Sequence, residues 1–499
     1  MLSFYDLRDF FAAQDFKLVM AAEAQTRIHR EKNGKIVSTL PIGGVSVGLD
    51  PVAKASKAIY IARGKTPQDR QVADSKGKYL VKDPDGDYTL KRLFFPEDEA
   101  EKYYDGFSIQ TLWPLCHVAF ERPEFNDDWY EGYKKVNQRF AQAIKEEIKG
   151  KTFIWINDFQ LSLVPKYLDK SKDTVVAMFW HIPWPTWEAF RVLPYKKEIL
   201  ESLLNCDFLA FHRGYQAKNF IDTARRELEL RVDEERGRLH YNDHITTVGS
   251  LPMGIDTDVV RSFVEKEDSE ENLLSMIIKN ILGVSKKRSK LDKFFDKNKV
   301  ILGIDRLDYT KGLRVRLFAL DKFFEKNPGS RGQVTYVGII APSREKVKSY
   351  KDLKKDLYSI AKRINEKYGN KNWQPINLIY KVFTRTEAIN LYRKANLCLV
   401  TPLDDGMNLV SKEFVIASES ANNPGMLVLS QFAGSAIDLT SALIVNPYDI
   451  DEVAAVIKRG LEMNKEEKVQ RLKNMANTLE EKNVYQWAQD FVKASIASK

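Results

Sequence analysis

Along the chain, short runs of apolar, β-branched and aromatic residues alternate with longer amphipathic stretches. That rhythm predicts βα units and parallel sheets, an α/β fold. A first series of strands is expected at Lys17–Ala21, Phe153–Asn157, Val175–Trp180, Phe208–Phe211 and Thr247–Leu251. A second is expected at Val300–Ile304, Thr335–Ile340, Leu378–Phe383, Leu397–Thr401, Met426–Ser430 and Leu443–Val445. Between the series lie Pro252-Met253-Gly254-Ile255-Asp256 and an acidic, helix-like stretch around Glu265–Glu271. The domain boundary is placed there, giving domains of 1–256 and 257–483. Near the C-terminus Val484, Trp487 and Phe491 fall on one face at helical spacing. They predict a last helix within 484–499 that leaves the second domain and docks on another surface. Two doubly wound domains leave a cleft at the C-terminal ends of their strands, where ligands of open α/β sheets bind.

Composition narrows the class. Of 499 residues, 43% are hydrophobic and 11% aromatic, which supports sizeable cores and excludes disorder. No apolar run approaches the ~18–20 residues that cross a bilayer, so no membrane association is expected. The start, Met1-Leu2-Ser3-Phe4-Tyr5-Asp6, lacks the basic and apolar segments of a signal peptide. Cys116, Cys206 and Cys398 are too widely spaced for a disulfide framework or a metal site. They suit a cytoplasmic protein with buried, inert thiols. The net charge of +9 is a small excess of 78 basic over 69 acidic residues, and it allows anionic partners. The most basic run, Lys286-Lys287-Arg288-Ser289-Lys290, is followed by acids without an aromatic platform. It reads as a solvated helix face, and nucleic-acid binding is not expected.

Four constellations follow or precede such strands. Gly43-Gly44, in Pro41-Ile42-Gly43-Gly44-Val45, lets backbone N–H groups approach a phosphate where a helix starts; a plain turn accounts for the pair as well. Gly303-Ile304-Asp305-Arg306-Leu307-Asp308-Tyr309-Thr310-Lys311-Gly312 sets two cations at a strand end. Arg306 and Lys311 suit the neutralisation of a departing diphosphate, or a surface network with Asp305 and Asp308. In Asp404-Asp405-Gly406-Met407-Asn408-Leu409, Gly406 allows a tight turn into a helix. The amides of Met407, Asn408 and Leu409 then face an anion, Asp405 suits sugar hydroxyls, and Glu413 suits a ribose diol; an acid–Gly turn that simply caps the helix accounts for the segment as well. His181, in the rigid loop His181-Ile182-Pro183-Trp184-Pro185, is either a structural histidine or one that presents a ring nitrogen to a substrate hydroxyl, and the neighbouring Asn157-Asp158-Phe159 favours a polar site.

In order and spacing these segments resemble the trehalose-6-phosphate synthases, the retaining glycosyltransferase family 20. Tyr104-Asp105-Gly106-Phe107, Leu112-Trp113-Pro114, Phe190-Arg191-Val192-Leu193-Pro194 and Gln431-Phe432-Ala433-Gly434-Ser435-Ala436 extend the match, as do Asn446-Pro447 and Trp487-Ala488. The resemblance implies the GT-B architecture, two Rossmann-like domains facing each other across a cleft, with the last helix crossing back to the first. It implies glucose transfer from a nucleotide sugar to a phosphorylated acceptor, typically glucose 6-phosphate, without a metal or a cofactor other than the nucleotide-sugar co-substrate. By this match Arg306 and Lys311 bind the donor diphosphate, and Gly43 and Gly44 approach it. Asp405, Gly406, Met407, Asn408 and Leu409 hold donor glucose and phosphate, Glu413 the ribose, and backbone near Phe383 the base. His181 binds the glucose and Asp158 the acceptor hydroxyls, both counted with the catalytic set. Tyr104, Trp113 and Arg344 hold the acceptor phosphate.

The departures fall on the acceptor side. Where the family has Ser-Asn-Arg after its first strand, this chain has Ala22-Glu23-Ala24, leaving Arg27 or Arg30 to compensate. His-Asp-Tyr becomes Asn157-Asp158-Phe159, and Trp-x-Gly-Trp becomes Tyr60-Ile61-Ala62-Arg63. Related glucosylglycerol-phosphate synthases, which use glycerol 3-phosphate, are therefore the alternative, with another phosphorylated polyol also open. A non-catalytic metabolite sensor is disfavoured because Arg306, Lys311 and Glu413 are all present. Nucleobase preference and the oligomeric state, a homo-oligomer included, stay open.

Overall fold

Thr152–Asn157 is buried at every position, so this strand needs helices on both of its faces. The structure, a computed structural model, describes residues 1–41, 44–169, 171–267 and 298–499. The basic run 286–290 and positions 268–271 of the acidic stretch lie outside the described residues. The chain divides into two units, Met1–Gly254 with Asn483–Lys499, and Ile255–Lys482.

In the first unit the strands are β1 (Lys17–Ala22), a separate hairpin of β2 (Ile28–Lys32) and β3 (Lys35–Thr39), β4 (Ile59–Arg63), β5 (Lys78–Val81) and β6 (Tyr88–Leu93). They continue with β7 (Thr152–Asn157), β8 (Thr174–Phe179), β9 (Phe208–Phe211), β10 (Arg231–Asp233), β11 (Arg238–Tyr241) and β12 (His244–Ser250). The sheet runs β10-β11-β12-β9-β8-β7-β1-β4-β6-β5. It is parallel from β12 to β6, with antiparallel pairs at both edges. The order reverses between β1 and β7, a topological switch point.

The helix Val484–Ala497 belongs to this unit. Asn483 caps it by accepting from the Tyr485 and Gln486 amides, and its side-chain amide donates to the Leu2 carbonyl at 2.7 Å. Phe491 lies 4.3 Å from Trp155 between ring centroids, and Trp487 lies 5.1 Å from Phe179. The docked face is the one marked by Val484, Trp487 and Phe491, all buried.

The second unit has one parallel sheet of β13 (Lys299–Arg306), β14 (Val334–Ala341), β15 (Ile376–Tyr380), β16 (Leu397–Val400), β17 (Met426–Ser430) and β18 (Leu443–Val445). Its order is β15-β14-β13-β16-β17-β18, the Rossmann order with its switch point between β13 and β16. The strand expected to reach Phe383 ends at Tyr380. Lys381 donates one last backbone bond to Ile340, and Val382 is then half exposed. In the first unit, β4 to β6 and the edge hairpin β10–β11 were not anticipated. β6 is hidden by its charges: Lys91 is buried against Glu147 at 2.9 Å, and Arg92 donates to Gln25 at 2.8 Å.

All three cysteines are free and buried, and burial pushes the Cys206 thiol up, which makes it a poor nucleophile. Replacing Phe491 by alanine removes the aromatic contact that seats the last helix. It should cost about 3–5 kcal/mol, read as a lowered denaturation midpoint of the first unit.

Candidate active site

In the second unit β13 delivers Arg306 at its last residue, and Asp308 caps the short turn Tyr309–Lys311 by accepting from the Thr310 amide at 3.1 Å. Gly312 then has φ 63°, and a β-carbon there would lie 2.1 Å from the Thr401 carbonyl oxygen. Only glycine lets this loop pass so close to the end of β16. The helix Leu313–Lys326 follows, and its Arg316, 1% exposed, ties the two strand ends together. Its guanidinium donates to Asp305 at 2.6 Å, to Thr401 at 2.9 Å and to the Lys311 carbonyl at 3.3 Å. Burial outweighs the neighbouring cations and lifts the Asp305 carboxyl above its ordinary value.

The loop after β16 completes the arrangement. Leu403 donates its amide to the Thr310 carbonyl at 2.7 Å, so the two loops at the switch point are bonded together. Lys311 Nζ meets Asp405 Oδ2 at 2.5 Å, and Asn408 Nδ2 donates to the same oxygen at 3.0 Å. Asn408 is left-handed at φ 75° and caps the helix Leu409–Glu419 by accepting from the Ser411 amide. The helix therefore opens at Leu409, and its first free amides are those of Leu409 and Val410, with Met407 and Asn408 before the first turn. Glu413, on this helix, is held by Arg385 Nε at 2.9 Å. Phe383 is buried two residues before Arg385, with Lys381 Nζ 5.1 Å from its ring. Arg344 is also in this unit, at φ 49°, donating to Asp308 at 2.7 Å and packed on Tyr350.

The first unit assembles a second set at its own switch point. Asp158 follows β7 at φ 75° and ψ 162°, a conformation that strains any residue but glycine by about 1–3 kcal/mol. Its Oδ1 accepts from the amides of Phe159 at 3.0 Å and His181 at 3.1 Å, which holds the strained carboxylate in place. His181 Nε2 lies 3.1 Å from Asn157 Oδ1, so this nitrogen carries the hydrogen. Nδ1 is then a buried acceptor without a partner in the structure. Burial, and then the His212 charge, hold the imidazole well below its ordinary 6.5.

Tyr104 sits in a π-helical segment, Glu101–Leu112, with Arg63 5.1 Å and Lys65 5.5 Å from its ring. Trp113 is buried against His117 and Phe159. Arg27 is already committed to Asp50 at 2.6 Å and Asp83 at 3.2 Å, and Arg30 lies exposed on β2. The expectation that one of them replaces the missing arginine therefore finds no support in their placement: the first is neutralised and the second lies on the hairpin.

Thus Arg306, Lys311, Asp405, Gly406, Met407–Leu409 and Glu413 come together in the second unit, with Phe383 and Arg344. Asp158, His181, Tyr104 and Trp113 stand in the first. Gly44 opens the helix Gly44–Ser56 of the first unit, and Gly43 lies outside the described residues. Sequence reasoning missed Arg316, Arg385 and the pair Arg63–Lys65. Arg316 was detectable as a charge on the apolar face of Leu313, Leu317 and Leu320, and Arg63 as a cation ending a strand. Among the described residues no group of three His, Cys, Asp or Glu side chains is disposed to hold a metal, and no helix is long and apolar enough to cross a membrane.

Two Rossmann-like units whose polar side chains gather at strand switch points define the GT-B class of glycosyltransferases. The chain belongs to glycosyltransferase family 20, whose sequence profile matches residues 15–496. It is 34% identical over 464 residues to a trehalose-6-phosphate synthase of Mycolicibacterium smegmatis, covering 91% of this chain and 87% of that one. It is 32% identical over 459 residues to a bifunctional trehalose-6-phosphate synthase/phosphatase of Thermoproteus tenax, covering 92% of this chain but spanning only 58% of that longer protein. The E. coli protein solved with UDP-2-fluoro glucose superposes with a TM-score of 0.82 at 30% identity, over 96% of this chain and 98% of that one. A Burkholderia xenovorans trehalose-phosphate synthase solved with glucose-6-phosphate gives 0.81 at 27% identity, over 96% and 99%.

Because the folded imidazole of His181 binds its proton more weakly than in the unfolded chain, stability rises with pH through the range near 6.5 and is lost below it. Lowering the pH from about 7 to about 5.5 should destabilise the native protein by up to about 1.4 kcal/mol per pH unit more than the His181→Gln variant, measured by denaturant titration.

Proposed function

We propose that this chain transfers glucose from UDP-glucose to glucose 6-phosphate with retention of configuration, yielding trehalose 6-phosphate and UDP. The observation that carries the reading is the gathering of Arg306, of Lys311 bonded to Asp405, and of the helix opening at Leu409, all at the β13/β16 switch point. A diphosphate placed there meets two cations and the positive end of a helix, while Asp405 is available to sugar hydroxyls. Glu413, steadied by Arg385, suits the ribose diol. The relatives' names and the bound ligands of the E. coli and Burkholderia proteins support this donor and acceptor.

In the proposed reaction the acceptor hydroxyl attacks the anomeric carbon on the face from which the diphosphate leaves. The bond from that carbon to the diphosphate oxygen breaks as the new glycosidic bond forms. The departing phosphate oxygen takes the acceptor proton, so no carboxylate pair is required. Arg306 and Lys311 stabilise the charge that develops on the leaving group. Neutral His181 offers Nδ1 to a glucose hydroxyl, and Asp158 orients the acceptor. The nucleotide sugar is a co-substrate, no metal takes part in these steps, and the reaction belongs to the cytoplasm.

A second reading, with glycerol 3-phosphate or another phosphorylated polyol as acceptor, is favoured by the first unit's departures from the family pattern: Ala22-Glu23-Ala24 stands where the family has Ser-Asn-Arg, and Tyr60-Ile61-Ala62-Arg63 where it has Trp-x-Gly-Trp.

Incubation with UDP-, ADP- and GDP-glucose against glucose 6-phosphate and glycerol 3-phosphate, following nucleotide release and product mass, decides between them. Transfer to glucose 6-phosphate is expected, and absence of transfer to any phosphorylated acceptor would overturn the proposal. Arg306→Ala and Lys311→Ala should each lower kcat by about 10²–10³ with the melting temperature nearly unchanged. Rates near the native value would remove the diphosphate assignment.

A further inference from the structure

Glu23 follows β1 directly and Arg63 ends β4, so both stand at C-terminal strand ends on one side of the first unit's switch point. Glu23 is 5% exposed, yet it meets Arg63 Nε at 2.9 Å and Lys65 Nζ at 3.1 Å. Both cations also lie over the Tyr104 ring. Their side chains are only 14% and 34% exposed, so two like charges are gathered in a half-buried place around one carboxylate. Asp105 is the next carboxylate to act on Arg63, more weakly than Glu23. Gathering like charges where water is scarce is unfavourable unless an anion joins them.

Two further details point to a ligand. Arg63 Nε, buried, has no aligned hydrogen-bond acceptor, so its contact with Glu23 is an ion pair without hydrogen-bond direction. The hydroxyl of Tyr103 is fully buried and has no hydrogen-bond partner. Burial first, and then the charge of Glu23, push that phenol well above its ordinary value, so it remains a neutral donor within the influence of the same cluster.

We infer that Arg63 and Lys65, set over Tyr104 and counterbalanced by Glu23, form the seat for the phosphate monoester of the acceptor. The inference deepens the proposed transfer and rests on its acceptor being phosphorylated. A phosphate monoester brings about −1.5 to −2 charges and three acceptor oxygens, which matches two cations and a phenol hydroxyl. Arg63 supplies the planar fork and Lys65 the mobile charge, while Glu23 positions both before the ligand arrives.

The test compares Arg63→Gln, Lys65→Gln and the double variant with the native chain. Each single variant should raise KM for glucose 6-phosphate about tenfold and the double variant about a hundredfold, with KM for UDP-glucose and kcat at saturating acceptor changed less than about threefold. Unphosphorylated glucose should be used equally poorly by all. Glycerol 3-phosphate, run in parallel, tells whether a sugar phosphate or a polyol phosphate is the natural ligand, and the same losses are expected with either. An unchanged acceptor KM in both single variants overturns the inference while leaving the transferase reading intact. Lys65, the more exposed residue, decides the matter if Arg63→Gln lowers the melting temperature. If the native chain transfers glucose to no acceptor, calorimetric binding of glucose 6-phosphate is read instead. Binding weakened in the double variant supports the seat, and equal or absent binding in the native chain overturns it.

Discussion

The ion pair between Arg316 and Asp305 is the contact on which the second unit's chemistry depends. A parallel sheet leaves the C-terminal ends of its strands joined only by loops, and loops alone do not hold side chains to a fraction of an ångström. Arg316 solves this from a helix. One guanidinium grips the end of β13 through Asp305, the end of β16 through Thr401 and the turn itself through the Lys311 carbonyl. The pair is nearly inaccessible to solvent, so removing one partner strands a buried charge, a loss of about 3–5 kcal/mol in comparable settings. Arg306 and Lys311 thus take their positions from a guanidinium on the helix that follows them.

The same strand order occurs twice in the chain, and in each unit the polar residues gather where that order reverses. In the second unit this yields two cations, a carboxylate and a helix opening. In the first it yields a strained aspartate, a neutral histidine and a cation cluster on a tyrosine. One parallel core thus supports two different polar arrangements because the loops at the two switch points differ. The strain at Asp158 fits that division. Its carboxylate accepts two amides from adjoining loops, and the surrounding β7 and β8 strands are rigid enough to enforce an unfavourable backbone.

Much of this was legible in the sequence. Strands buried on both faces read as continuous apolar runs, and residues that follow them with Gly, Asp or Arg announce a loop that carries chemistry. Arg306, Lys311 and Asp405 were visible for that reason, as was the last helix through Trp487 and Phe491. What escaped was hidden by pairing. β6 carries Lys91 and Arg92 inward, and their partners Glu147 and Gln25 lie far away in sequence, so no local pattern marks them as buried. The pairing of Arg27 escaped for the same reason, since Asp50 and Asp83 become its neighbours only in the folded chain. Hydrophobic periodicity reports which positions face a core. It is silent on which charges cancel.

The contact between Lys311 and Asp405 has one more consequence, for selectivity among anions. In this state the lysine already has a counter-ion, so any incoming anion competes with a tethered carboxylate and gains only the difference. A bare phosphate ion takes the lysine and leaves Asp405 without its cation. A ligand that joins its phosphates to a sugar gives Asp405 hydroxyl donors in exchange. If the donor binds as proposed, the internal carboxylate acts as a built-in competitor, against which small anions exchange at a loss and a glycosylated diphosphate does not.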